Sequence, residues 1–446
     1  MDQQKFRQVI GGIAAACALD HAALDRELCA IEVAGDRQRL YDVMALLISR
    51  IGDGAEKERL ADALIGCRPD DEALYLALAN RLAYAGMGVL ERDPAIPRQG
   101  IAILGRALEL AAPSPLRPQI HANLSFLFNE AGRPDLAEVH GRAAAGCKNA
   151  IFHLWLGEAL FRQGKYAGDG LCVVDLSSLS FRRAAQTLAR ADAAPPFPPP
   201  FAPDRRHVVL VSVDGTYFKR YAAAQILNLH VLGSAVAVHY HIINGDPEVA
   251  RLIERLRGIV GAMPVTFSHE SWALRGEAID KPYYASSRFL IAAEVMLLHK
   301  ADVIVCDADV LFREKPEEIV RLAGDADVAH TDYRGEPLCS RYNASFVYFR
   351  HSRSGYLTLL MMADFLRTNF DRCYIWMIDQ VALFACVERA AQLLGSEMAH
   401  AAWPDSVLPP RAGDTLPLVL TGALAGKHGN SPYSAKRDEI LRTYGL

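Results

Sequence analysis

The run Ala193-Ala194-Pro195-Pro196-Phe197-Pro198-Pro199-Pro200-Phe201-Ala202-Pro203 constrains this chain more than any other stretch. Proline has no amide donor and a locked φ, so the run is neither helix nor inner strand. It reads as a semi-rigid polyproline II linker, in preference to a ligand for a proline-binding module. The texture of the sequence changes across it. Before it, Ala, Leu, Arg and Glu dominate, and apolar residues recur every three or four positions. After it, β-branched runs alternate with helical segments. A chain of 446 residues exceeds one ordinary core. The expected division is a helical domain over 1–192, a linker over 193–204 and an α/β domain over 205–446.

Composition removes several function classes. At 51% hydrophobic and 22% charged, the chain reads as a soluble globular protein. A formal net charge of −4 argues against a nucleic-acid binder held by phosphate contacts. Nine cysteines, scattered and without a C-x-x-C pair, fit reduced thiols in a cytoplasmic protein. No apolar run is long enough to be read as a transmembrane segment. Ile10–Leu19 is Ala-rich and follows mixed charges, so it reads as a helix and not a signal peptide.

A weak repeat runs through the first half. Leu124, Phe128, Gly132 and Pro134 are matched 32 residues later by Leu156, Leu160, Gly164 and Tyr166. An earlier copy falls at Leu78-Ala79, Leu82 and Gly86, with an insertion around Met87 to Arg98. The Leu-Gly and Gly-x-Tyr spacing resembles tetratricopeptide repeats. That resemblance implies stacked helix pairs with a concave face suited to a protein or peptide partner. The alternative is a helical bundle with fortuitous spacing. Residues 1–65 carry no copy and read as a helical cap.

In the second half, strands are expected at 207–213, 235–243 and 265–267, and helices at 220–232, 247–260 and 286–298. This order predicts a parallel sheet covered on both faces, with ligands at the carboxyl ends of its strands. Asp214 and Asp307 both fall there. The stretch Val303-Ile304-Val305-Cys306-Asp307-Ala308-Asp309-Val310-Leu311-Phe312 is a buried strand running into a turn. Two carboxylates one residue apart can approach one hard divalent cation, which also bridges to phosphate. The plain alternative is a surface turn, where Asp is common.

Several stretches now line up in order. They are Ser212-Val213-Asp214-Gly215-Thr216-Tyr217, Tyr284-Ala285-Ser286-Ser287-Arg288-Phe289, the Asp307-Ala308-Asp309 turn, Tyr342-Asn343-Ala344-Ser345, Trp376-Met377-Ile378-Asp379-Gln380 and Gly426-Lys427-His428-Gly429. Over about residues 205 to 435 this resembles a GT-A-fold glycosyltransferase. The motif order is similar to the retaining family 8, which includes glycogenin and bacterial lipopolysaccharide galactosyltransferases. The resemblance implies transfer of a hexosyl-type group from a nucleotide-sugar, with a UDP-linked donor expected and Mn²⁺ or Mg²⁺ as cofactor.

It also implies roles for single residues. Asp214 and Tyr217 would hold the nucleobase or ribose. Arg288 would reach the diphosphate or a nearby carboxylate. Asp307, Asp309 and His428 would bind the metal, and Lys427 a phosphate. Asn343 and Asp332 would touch the sugar, and Asp379 and Gln380 would lie beside the anomeric carbon. The tail departs from the family pattern: His428-Gly429-Asn430-Ser431-Pro432 lacks its later Gly and Lys. Asn343-Ala344-Ser345 stands where the family has Asn-Ala-Gly. Two rival readings remain. One is a haloacid-dehalogenase-type phosphatase using Asp307 and Asp309, whose motif normally follows the first strand of its domain. The other is a non-catalytic scaffold with a degenerate transferase domain.

Overall fold

The computed structural model describes residues 3–49, 51, 54–67, 71–85, 95–109, 115–144, 150–163, 165, 207–333, 338–370, 377–408, 417–422 and 431–446. The chain forms two compact units, Met1–Cys172 and Val173–Leu446. The proline run lies outside the described residues, as do Gly86, Gly164, Tyr166 and residues 87 to 94 of the supposed insertion, whose last part, 95 to 98, is helical.

The first unit is helical wherever it is described. Its helices are Gln3–Ala16, His21–Val33, Arg37–Ser49, Gly54–Cys67, Glu72–Ala85, Ala95–Glu109, Arg117–Glu130, Pro134–Ala143 and Ala150–Arg162. Local chemistry sets their ends. Asp20 caps the second helix by accepting the amides of Ala22 and Ala23 at 2.9 and 3.2 Å. Gly132, at φ +71°, turns the chain so that Pro134 can open the next helix. Apolar faces from the first seven helices share one core that includes Ile10, Leu28, Leu40, Met44, Leu74 and Leu124. Small residues fall at close crossings: a Cβ on Gly141 would lie 2.9 Å from Cβ of Leu156. Ser125 donates to the carbonyl of Ala137 at 2.8 Å, and Asn129 to that of Trp155 at 2.8 Å. Neighbouring helices here pack closely, through small residues and side-chain-to-carbonyl hydrogen bonds. Residues 1–65, expected as a cap, form four helices of the same core.

The second unit is α/β. A seven-stranded sheet runs β3-β2-β1-β4-β7-β6-β8, where β1 is His207–Asp214, β2 Ala237–Ile243, β3 Val265–Glu270, β4 Asp302–Cys306, β6 Val328–Asp332, β7 Tyr342–Phe349 and β8 His400–Ala402. β5 (Val310–Phe312) and β9 (Val419–Thr421) pair as a separate antiparallel ribbon. β1 pairs in parallel with β2 and β4, and β2 with β3. Val209, Val211 and Val213 of β1 face a core built with Phe218, Ile226, Leu227, Ile253, Leu256 and Tyr433. Helices Glu277–His299, Arg353–Asn369 and Ile378–Leu394 complete the unit.

The sheet is mainly parallel, as expected, with one reversal that the strand order did not predict: β7 runs antiparallel to both β4 and β6. The nine residues from 333 to 341 are too few for a parallel crossover, so β7 must return beside β6. Tyr342–Phe349 is thus itself a strand, and Asn343 sits near its start. The helix carrying Arg288 begins at Glu277, well before Ser286, and tolerates Pro282 near its start. The Val303–Phe312 run leaves its strand for a turn at Asp307, as expected, and the residues after the turn join the β5–β9 ribbon.

Candidate active site

Register brings five expected residues to one edge. β1 and β4 are level at Leu210 and Val305, so Asp214 ends its strand beside the Asp307–Asp309 turn. β7 meets β4 at Phe346 and Cys306, running the other way, so Asn343 starts at the edge where β4 ends. Asp332, at the end of β6, is paired one residue away, Asp332 with Tyr342. All five therefore occupy the carboxyl edge of the central strands, where such sheets bind ligands.

Arg288 knits the middle of that edge. It is 3% exposed. Nη1 donates to Oδ1 of Asp307. Nη2 donates to Oδ2 of Asp379 at 3.0 Å and to the carbonyl of Ala344 at 3.1 Å. A planar guanidinium can serve three acceptors in fixed directions, which an ammonium cannot do as well. This places Arg288 on nearby carboxylates, one of the two kinds of partner expected for it. Burial works to lower its pKa, but the charges of Asp307 and Asp379 outweigh that and hold it above its usual value.

Asp379 opens its helix, and its Oδ1 accepts the amide of Gln380 at 2.9 Å. Burial lifts its carboxyl to about 6, Arg288 pulls it down, and Asp307 pushes it up again. The Asp307 carboxylate stays 28% exposed, whereas Asp309 is 6% exposed. The backbone of Asp309 accepts from Gly422 at 2.8 Å, which ties the turn to the end of β9. Burial first, then both aspartates, push the Cys306 thiol up, while Arg288 lowers it. The two carboxylates thus act on one neighbourhood.

The remaining expected residues sit as follows. Oδ1 of Asp214 accepts the amide of Tyr217 at 2.6 Å and caps the turn after β1. Tyr217 is 39% exposed, and its ring lies 5.1 Å from that of Tyr221. Burial first, then the charges of Asp280 and Asp214, push the Tyr284 hydroxyl up. Asn343 accepts the amide of Ser345 at 2.7 Å. Asp332 is paired with Arg341 at 3.1 Å. Gln380 is half-buried. Lys427 and His428 lie outside the described residues.

The donor set suits a hard cation. Two carboxylates on one turn, one of them open to solvent, match the way Mg²⁺ or Mn²⁺ binds through one or two carboxylates plus water and substrate phosphate. Among the described residues no three His, Cys, Asp or Glu side chains form a cage.

Sequence reasoning missed the residues behind this turn. Gln225 and Asn228, on the helix Ala223–Val231, reach the backbone of residues 307–312. Ser212 on β1 meets Ser287 Oγ to Oγ at 2.5 Å and links that strand to the helix of Arg288. Two amides three positions apart on an apolar helix were the available signal. The phosphatase reading fits poorly: Asp307 follows the fourth strand of its unit, and its carboxylate is held by a buried arginine.

No protein-family model matches the chain, and no curated protein does. Among solved structures it is similar to the glycosyltransferase GlyE of Streptococcus pneumoniae TIGR4, at 13% identity over 54% of this chain and 62% of that one, with a TM-score of 0.36. It is similar to the galactosyltransferase LgtC, solved with donor and acceptor sugar analogues, at 13% identity over 54% of this chain and 95% of that one, TM-score 0.36. Mouse xyloside xylosyltransferase 1 follows at 10% identity over 45% of this chain and 86% of that one, TM-score 0.26. The chain spans less than two thirds of GlyE.

Proposed function

We propose that the second unit transfers a glycosyl group from a nucleotide-sugar, UDP-linked, to an acceptor hydroxyl. The observation that carries this reading is the buried Arg288 fork, which joins the Asp307–Asp309 turn to Asp379 at the sheet edge. Asp307 and Asp309 would hold Mn²⁺ or Mg²⁺, with His428 and Lys427 as candidates to close the site from the tail. Such a cation, when bound, supplies positive charge to the leaving diphosphate. Arg288 holds the Asp307 carboxylate in place through their ion pair, and supplies a second buried positive charge. Asp214 and Tyr217 would orient the base, one by a carboxylate and one by an exposed ring face. Asn343, Asp332, Asp379 and Gln380 would face the sugar. Neutral Gln380 is no base, so the acceptor's proton passes to a phosphate oxygen.

The first unit would recruit a protein or peptide partner through a tetratricopeptide-like face, in a cytoplasmic setting that suits the buried free thiols of Cys306 and Cys386. The test is a panel of nucleotide-sugars with Mn²⁺, read as nucleotide release. Asp309→Asn should lower release by at least about 100-fold while the fold survives, as loss of a metal ligand demands. Full release by that variant removes the metal role. Turnover of a generic phosphomonoester in place of every nucleotide-sugar would favour the phosphatase.

A further inference from the structure

The Asp307–Asp309 turn is gripped from behind by side chains that have no part in the reaction proposed above. Nε2 of Gln225 donates to the carbonyls of Asp307 and Val310, both at 3.0 Å. The first carbonyl belongs to Asp307 itself and the second follows Asp309, so the two bracket Ala308 and Asp309. Oε1 of Gln225 accepts from the hydroxyl of Tyr240 on β2. That hydroxyl fixes the amide: its oxygen is engaged as an acceptor, so both Nε2 protons face the turn. One helical turn on, Asn228 treats Phe312 as a strand partner. Its Oδ1 accepts the amide of Phe312 at 2.6 Å, and its Nδ2 donates to the carbonyl at 3.0 Å. Gln225, Asn228 and Tyr240 are all buried.

A core of Ile226, Leu227 and Phe312 needs no amides in order to pack. Buried polar groups are costly unless satisfied, and once satisfied they fix one geometry. What this pair fixes is the path of the backbone between two like-charged carboxylates. Like charges on one turn repel, and a loose turn would swing them apart before any cation arrived. We propose that Gln225 is a positioning residue: by tying the carbonyl of Asp307 to that of Val310, just past Asp309, it sets the spacing of the two carboxylates and hence the affinity of the turn for a divalent cation. This rests on the metal reading of the two aspartates.

The test uses the full chain and two variants. Gln225→Met keeps length and removes both donors. Tyr348→Phe is the control: it deletes a buried hydroxyl that bonds Asp302 at 2.9 Å, at the other end of β4. Mn²⁺ alone is titrated by calorimetry, and hydrogen exchange of the 307–312 amides is followed in chelator. Gln225→Met should bind Mn²⁺ about 10- to 100-fold more weakly, the usual effect of losing support behind a ligand. Its 307–312 amides should exchange roughly 10-fold faster, as expected for two lost hydrogen bonds. Tyr348→Phe should move neither, even at an equal loss of urea midpoint. Unchanged Mn²⁺ affinity in Gln225→Met, or an equal loss in Tyr348→Phe, overturns the proposal. If the wild type binds no Mn²⁺ although its 307–312 amides are protected, the metal reading fails and the proposal goes with it. Should Gln225→Met not fold, Tyr240→Phe unlocks the same amide. It should weaken Mn²⁺ about 3- to 10-fold, and no change there overturns the proposal equally.

Discussion

Replacing Arg288 by methionine keeps the length of the side chain and deletes the charge shared by Asp307 and Asp379. With Arg288 present, burial still lifts Asp379 to about 6. An unfolded Asp titrates near 4, so the native state gives up about 3 kcal/mol at pH 7 to keep this group ionised. The sign follows from the raised value: the group's contribution is fully present below pH ~4 and is lost as pH rises through about 6. Without the guanidinium, Asp379 should titrate well above neutral and fold as the neutral acid. Taking up one proton then costs about 4 kcal/mol at pH 7 and about 6 at pH 8. The Asp379 share of the loss is therefore about 1 kcal/mol at pH 7, about 3 at pH 8, and near zero at pH 5. Lost hydrogen bonds, including that to Ala344, add a roughly pH-independent 1–3 kcal/mol. The assay is urea unfolding of wild type and Arg288→Met at pH 5, 7 and 8, in chelator so that no cation compensates. Adding Asp379→Asn to the variant should flatten its pH dependence. A loss of equal size at pH 5 and pH 8 would refute the argument that Arg288 screens this carboxylate.

Two further outcomes follow from packing and burial. A Cβ on Gly355 would collide with the carbonyl oxygen of Arg350, a backbone atom that cannot swing away, so Gly355→Ala should lose about 2–3 kcal/mol by urea denaturation; a neutral result would mean that the start of this helix yields. Burial pushes His330 down to about 3 and His239 down to about 4, so both fold neutral, and the stability they contribute above pH ~6.5 is lost as pH falls towards those values. Each should cost about 2 kcal/mol at pH 5, and a flat urea midpoint between pH 7 and pH 5 would contradict their burial.

The residues that meet at the sheet edge were legible because each ends or starts an element. Asp214, Asp307 and Asp332 follow β-branched runs, and period alone places such positions at a strand end. Direction was not legible. Nothing in Tyr342-Asn343-Ala344-Ser345 says which way the strand runs; the short path from Asp332 decides it, and a path is a property of the fold. Arg288 shows the opposite limit. Its charge suggested a diphosphate or a carboxylate, but which groups it meets was not legible, because its partners come from residues 307, 344 and 379, each distant in sequence. Gln225 and Asn228 read as polar interruptions of an apolar helix, because their acceptors are backbone atoms some eighty residues on.

Cys306 lies directly beneath the aspartate turn, fully enclosed, with its thiol held protonated by burial first and by Asp307 next. A protonated sulfur sealed from solvent does not meet an alkylating reagent until the end of β4 opens. The rate at which iodoacetamide marks this position in the native protein is therefore a clock for openings of that strand end. It runs without an engineered probe and needs neither substrate nor metal to be present.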